Sequence, residues 1–499
     1  MNAEFSNIGQ EAGIMPLLRP SGPYVASDET VPLHVQSGEP LARISRANAG
    51  LIKRDAARWP SREQIFQGLD TNAMVAICGK AARIFLEDDL PWDAAGSVMS
   101  FEKYVATLSG STGMPQALCR ANAGKIAHAL GAMSEILDGL TRDLPPKAWE
   151  SVCGENGGRL YAFAPRGRQL GVVLPSNSPG VNSIWLPALA MRFPVLLKPG
   201  REDPFTPQRI AQALFAAGCP RTAIGFYPSD HEGGAALIDA CDRVILFGDQ
   251  SVADRYANDP KVEVHGPGRS KILIGPDMAD RWEEFVDVIA ESISSNGGRS
   301  CVNASSVITT AHGDALADAL AKKLANITPK PLDAADGLLS GFVAPRMAEW
   351  TDVNITEGLA SGGARDVSAA YRSGGRLVVC DGITYLLPSI VRCEAETHAL
   401  ANREFLFPYA SVLEMPVESF AACANESLVI TAITRDKKLI EALACISLQR
   451  LNLGPLPTTR IDWTQPHEGN LFEFLLIAVP SQPAMAGVRS KPHERIAVV

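Results

Sequence analysis

The chain has 499 residues, 46% of them hydrophobic and 20% charged, an ordinary globular balance that excludes wholesale disorder, collagen-like repetition and coiled-coil composition. At roughly 100–200 residues per domain, this length is too great for one small core and fits two or three domains. Aspartate and glutamate outnumber lysine and arginine by 55 to 46, for a net charge of −9. The basic footprint of a nucleic-acid or anionic-membrane binder is therefore missing, and small molecules become the expected partners.

The first twenty residues carry Glu4 and Glu11 and no long apolar core, which does not read as a secretory signal and predicts a cytoplasmic chain. Residues 1–40 are rich in Gly, Pro and Ser and predict an irregular N-terminal arm. Residues 45–145 read mainly as helices, with Ile126, Leu130, Met133 and Leu137 forming one stripe of a 3.6-residue repeat. In the middle of this layer, Leu108-Ser-Gly-Ser-Thr-Gly-Met-Pro115 is similar to the phosphate loop of adenylate-forming enzymes. The lysine expected after it is Gln116, so the segment reads as a turn. The greasiest stretch, Ile184–Leu197, is broken by Pro187, Arg192 and Pro194 and falls short of a membrane span.

From about residue 168 the texture changes to short apolar runs alternating with amphipathic segments. Leu170–Leu174, Val195–Lys198, Ala223–Tyr227, Arg243–Phe247 and Val262–His265 predict strands of βαβ units in a parallel sheet. Between them, Thr206 as cap, Pro207 at the first helical position and Gly218 as terminator bracket a helix. A second helix carries Trp282, Phe285, Val286, Ile289 and Ile293 and stops at Asn296-Gly297-Gly298, just before Cys301. A helix over 315–325 and strands near Arg376–Val379 and Ala410–Leu413 predict a second α/β domain. The last fifty residues are Pro-rich apart from the apolar run Leu471–Val479. Ten cysteines without a C-x-x-C pair and eight histidines without ligand spacing predict no metal site.

Six segments in order carry a more specific signal. Ser295-Asn-Gly-Gly-Arg-Ser-Cys301 resembles the nucleophile motif of the aldehyde dehydrogenase superfamily, with Arg299 where the family has glutamine. Leu174-Pro175-Ser176-Asn177-Ser178-Pro179 is similar to its Pro-Trp-Asn-x-Pro segment, and Val195-Leu-Leu-Lys198-Pro199 to its Val-x-Leu-Lys-Pro strand. Val244-Ile-Leu-Phe-Gly248-Asp249 resembles the Phe-Thr-Gly-Ser turn, Gly266-Pro267-Gly268-Arg269-Ser270 the Gly-Gly-Lys-Ser turn, and Glu404-Phe-Leu406-Phe-Pro408 the Glu-x-Phe-Gly-Pro element. The resemblance implies an α/β fold, with a Rossmann-type cofactor domain and a second α/β catalytic domain. It divides the chain into the arm (1–40), a helical layer with the dinucleotide-binding domain (41–270), a catalytic domain (271–450), and a tail (451–499) that returns to the cofactor domain or makes an oligomer contact.

The chemistry implied is attack of the Cys301 thiolate on an aldehyde, hydride transfer to a nicotinamide ring and formation of a thioester. The Asn177 amide and the Cys301 backbone N–H would stabilise the developing alkoxide. Pro175 and Ser176 would line the cofactor site, Lys198 would reach the adenosine ribose, Gly248 and Asp249 would meet the pyrophosphate, and Glu404 and Leu406 would lie at the nicotinamide end. Arg201, where many relatives carry a glutamate, suits a ribose 2′-phosphate and points to NADP, whereas Glu202 in a shifted register restores NAD.

The family's general-base glutamate is His265 here. Histidine is itself a competent base. Glu263 lies on the same strand face one pleat away, roughly 7 Å by strand rise, and a site with no base would hand the thioester to coenzyme A. Asp249 would repel phosphate unless it caps the following helix. The expected protein is thus an NAD(P)-dependent aldehyde dehydrogenase acting on a small-molecule aldehyde as a homodimer or homotetramer. The alternatives are a coenzyme-A-acylating enzyme or a non-catalytic relative.

Overall fold

In the computed structural model, described residues are 13–150, 154–156, 159–466 and 468–479. The first twelve residues, on which much of the secretory reading rests, lie outside them. Within the expected irregular arm, β1 (Leu17–Arg19) and β2 (Gly22–Tyr24) are regular strands. Leu17 and Leu18 are buried, and β1 pairs antiparallel with a later strand. Burial of two leucines against an open sheet edge outweighs the weak local periodicity.

The helical layer follows as α1 (Thr71–Glu87), α2 (Phe101–Thr112), α3 (Gln116–Gly131) and α4 (Met133–Thr141). Ile126, Leu130, Met133 and Leu137 are all buried, although the backbone breaks at Ala132 between the last two helices. The segment 108–113 is the end of α2 and its left-handed Gly113 cap, not a free turn.

A first seven-stranded sheet takes β3 (Leu170–Val173), β4 (Val195–Lys198), β5 (Ile224–Phe226), β6 (Arg243–Phe247) and β7 (Val262–His265), in the order β7-β6-β3-β4-β5-β1-β2. The first five are parallel. The chain leaves β3 toward β4 on one side and returns to β6 on the other, so a crevice opens where these strands end. Between β4 and β5 runs α5 (Phe205–Ala217). Its capping side chain is Asp203, which accepts from Thr206 N at 2.9 Å, so the expected Thr206 cap lies one turn too far in. Past β6, α6 (Gln250–Tyr256) is capped by Asp249.

Immediately beyond β7, the turn Gly266–Arg269 leads into a second seven-stranded sheet. Its strands are β8 (Ser270–Ile274), β9 (Ala304–Thr309), β10 (Ala364–Asp366), β11 (Ser389–Cys393), β12 (Tyr409–Glu414), β13 (Ser427–Ile433) and β14 (Leu448–Leu453), ordered β10-β11-β12-β9-β8-β13-β14. Only β10 is antiparallel to its neighbour. Several of these strands are buried along nearly their whole length and begin with a buried serine, a pattern that periodicity does not separate from buried helix. The expected strand near Arg376 is present but belongs to a separate hairpin, Leu377–Cys380 with Ile383–Leu386. The apolar run in the tail splits into a short helix, Leu471–Leu475, and a strand, Leu476–Ala478, paired with Phe163–Pro165. Among the described residues no helix is long and apolar enough to cross a membrane, and no cluster of ligating side chains is poised for a metal.

Candidate active site

The helix Val286–Ser294 delivers the chain to Asn296, Gly297 and Gly298, all at positive φ. This left-handed run is open to glycine and, with a polar side chain to hold it, asparagine. Asn296 is held by Asn122 Nδ2 on its Oδ1 at 2.6 Å, while its own Nδ2 donates to Ser178 Oγ at 3.1 Å and Ser300 Oγ at 2.9 Å. Asn303 closes the turn by accepting from Ser300 N at 2.8 Å. The carbonyl of Cys301 accepts from Ser270 Oγ at 2.9 Å, and a Cβ at Gly268 would overlap that carbonyl. The Cys301 backbone is thus fixed from two sides before any ligand arrives.

Arg299 is buried, and its guanidinium donates to the carbonyls of Thr112 (2.9 Å) and Gly341, tying the turn before Cys301 to α2 and to the loop before the Pro345–Ala360 helix. Burial lowers its pKa to about 10. Glutamine at this position could span one such carbonyl, whereas the longer fork spans two.

Cys301 opens into a cleft of about 640 Å³. The cleft brings together Pro175, Ser176 and Asn177 after β3, Gly248 and Asp249 after β6, His265 at the end of β7, Cys301, and Glu404 and Leu406 ahead of β12. Lys198 and Arg201 do not line it. Arg201 is exposed, while its neighbour Glu202 lines the cleft and donates its backbone N–H to Ser176 Oγ at 3.1 Å. Lys198 is largely buried, which lowers its pKa; the charges of Glu202 and Asp230 partly offset this.

Asn177 Nδ2 donates to Arg299 O at 2.7 Å, which orients the amide and leaves its second hydrogen for a ligand. Glu404 accepts from Arg269 N at 2.7 Å. Burial raises its pKa to about 7 against the pull of that N–H and of Gly268 N. Asp249 accepts from Ser251 Oγ at 2.6 Å and Val252 N at 3.1 Å, so its charge is spent on capping α6.

Behind the sulfur stands a residue that no spacing announced. Glu468 reaches Cys301 Sγ with Oε1 at 3.3 Å and His265 Nδ1 with Oε2 at 3.0 Å. His265 Nε2 lies 3.4 Å from Glu263 Oε1, an ion pair without hydrogen-bond alignment, and the ring stacks on Phe247. Burial by itself would lower the imidazole pKa, but the two carboxylates outweigh it and raise the value to about 9. The two carboxylates thus favour the protonated ring, and an imidazole that holds its proton has no lone pair to offer water. Burial, then the charges of Glu468 and Glu404, push the Cys301 thiol well up. At rest the Cys301 side chain is therefore a thiol, and forming a thiolate there requires a proton acceptor.

The family model described as the aldehyde dehydrogenase family matches residues 100–426, and the chain belongs to that family. Among curated relatives, the vanillin dehydrogenase of a Pseudomonas species is 26% identical over 272 residues, covering 51% of this chain and 53% of that protein. The 2-hydroxymuconic semialdehyde dehydrogenase of another Pseudomonas strain is 24% identical over 283 residues, covering 53% and 54%. The chain thus spans about half the length of these relatives. Among solved structures, an indole-3-acetaldehyde dehydrogenase in complex with NAD+ superposes with a TM-score of 0.76 at 18% identity, covering 95% of this chain and 97% of that one. An aldehyde dehydrogenase of Pseudomonas aeruginosa gives 0.76 at 18%, covering 93% and 95%. The shared fold is that of the aldehyde dehydrogenases.

Proposed function

We propose that this protein oxidises an aldehyde to a carboxylic acid through a thioester on Cys301, with NAD rather than NADP as its cofactor. The reading is carried by one observation: Cys301, the free amide hydrogen of Asn177 and buried Glu404 converge on a single cleft at the ends of the first sheet's parallel strands.

The residues present fit a dinucleotide. The cleft is long enough to run from Glu202 to Glu404, and Gly248 leaves its floor bare, since a Cβ there would strike Val252. The cofactor would supply the hydride acceptor. Glu202 would hold the adenosine end and Glu404 the nicotinamide ribose, with Pro175 and Leu406 as apolar walls. A carboxylate at Glu202 favours a ribose 2′-hydroxyl and repels a 2′-phosphate. Arg201, the residue suited to a 2′-phosphate, is exposed and does not line the cleft.

For the acyl step, Cys301 attacks the carbonyl, and the alkoxide is held by Asn177 and the Cys301 backbone N–H. Water is then the acceptor of the acyl group. The second reading, coenzyme A as acceptor, is favoured by the presence of His265 where hydrolytic relatives carry glutamate. An aldehyde panel with NAD or NADP, with and without coenzyme A, decides between them. Turnover without the thiol is expected, and turnover only in its presence would reject hydrolysis.

A further inference from the structure

A second cavity of about 460 Å³ shares the His265–Pro267 wall with the cleft and is lined by Glu263, Glu426, Ser427, Ser447 and Glu468. Glu468 therefore touches the reacting sulfur on one side and this cavity on the other, without lining the cleft itself. It is 5% exposed at the side chain and comes from a segment 167 residues away from Cys301.

We propose that Glu468 is the group that takes the proton from the Cys301 thiol, with His265 as the positioning residue that aims it and the second cavity as its contact with water. This rests on the reading of Cys301 as the nucleophile. The S–H bond breaks and an O–H bond forms on Glu468 Oε1. The electron pair left on sulfur forms the bond to the carbonyl carbon. The proton then passes to water in the second cavity, which restores the carboxylate. In hydrolysis the same oxygen takes a proton from water as hydroxyl adds to the thioester carbon, the C–S bond breaks and sulfur leaves as thiolate.

His265 is suited to its part because its Nδ1–H holds Oε2, so the rotamer that meets the imidazolium is the one that presents Oε1 to sulfur. The other charged groups facing the pair are Glu404 ahead of β12, Arg450 on β14, and Glu263 on β7.

A thiol and a carboxylate that share one proton have a signature. Above the carboxylate midpoint, over a window as wide as the coupling between the two groups, the fraction of thiolate is independent of pH, because moving the proton between the partners does not change the total bound. Alkylation of Cys301 by iodoacetamide, followed by mass spectrometry on the full chain without substrate, reads it directly. In the wild type, the rate is expected to be flat over that pH window. In Glu468→Gln it is expected to rise about tenfold per pH unit to a midpoint lower than the wild type's, since the neighbouring charge is gone. In His265→Asn the acidic edge of the flat window moves to higher pH, because the cation that favours the charged carboxylate has been removed, which a merely structural role would not do.

A wild-type profile that climbs in parallel with Glu468→Gln overturns the proposal, and an unmoved edge in His265→Asn overturns the positioning role. If the Gln variant does not fold, the wild-type profile decides alone. Because this readout needs no aldehyde, a flat window in a protein that oxidises none would reject the proposed function and leave the shared proton standing. In an active enzyme, Glu468→Gln is expected to slow the acylation burst by at least about 10²-fold, with recovery as pH rises; a loss that alkali does not restore counts against the proposal.

Discussion

The two sides of Cys301 are built in opposite ways. On the cleft side, Pro175–Asn177, Gly248–Asp249, His265–Pro267, Cys301 and Glu404–Leu406 follow one another along the chain, each at the end of a strand or in a loop or turn. The rear is assembled from β7 and a single glutamate in the Pro-rich tail, joined only by folding. Strand-end turns carry short local motifs that can be read in chain order, whereas a single side chain brought across 167 residues carries none. In the mechanism proposed above, the cleft side holds the groups that bind and stabilise, and the rear holds the groups that move protons.

Substitutions on the two sides should separate these roles. The largest effect is expected from Cys301→Ala, which removes the nucleophile: turnover falls to background while NADH binding, read by fluorescence, is unchanged. More than a few per cent of residual activity would dissolve the division altogether. Asn177→Ala removes an alkoxide donor without touching the rear and is expected to lower kcat by about 10²–10³-fold with KM little changed, in single-turnover measurements. Gly268→Ala forces the Cys301 carbonyl to shift and should lower kcat by about 10²-fold. It acts on both sides, so the burst and the steady state should fall together.

Smaller effects sharpen the comparison. Glu202→Gln lies wholly on the cleft side and should move the ratio of kcat/KM for NAD over NADP about tenfold toward NADP, with the iodoacetamide profile of Cys301 unaltered. The rear should show itself in stability. His265 has a folded-state pKa of about 9 against an ordinary 6.5, so its ion pairs stabilise the fold fully below pH 6.5 and this contribution is lost as pH rises through 9. A modest fall in Tm across that window is expected by calorimetry, and His265→Asn should flatten it.

The five parallel strands of the first sheet were legible to within a residue or two because β4 and β6 are apolar runs bounded by Gly, Pro and charged residues, whereas β1 and β2 were not. The second sheet was less so. Ser270–Ile274 and Ala304–Thr309 carry buried serines and threonines that hydrogen-bond inside the sheet, such as Ser306 with Ser411 at 2.7 Å, and a polar residue reads as exposed until its partner is known. The cap of α5 was misplaced for a related reason, since Asp203 and Thr206 both suit the position and only backbone geometry chooses between them.

Local chemistry in the sequence determined the strand-end turns, the positive-φ glycines before Cys301 and the residue types that face the cleft, because each depends on neighbours a few positions away. Tertiary packing alone decided the charge state of His265, the outward turn of Arg201 and the placing of Glu468 on the sulfur. Those depend on burial and on charges brought within about 4 Å by the fold, where a carboxylate interacts far more strongly than it does in water.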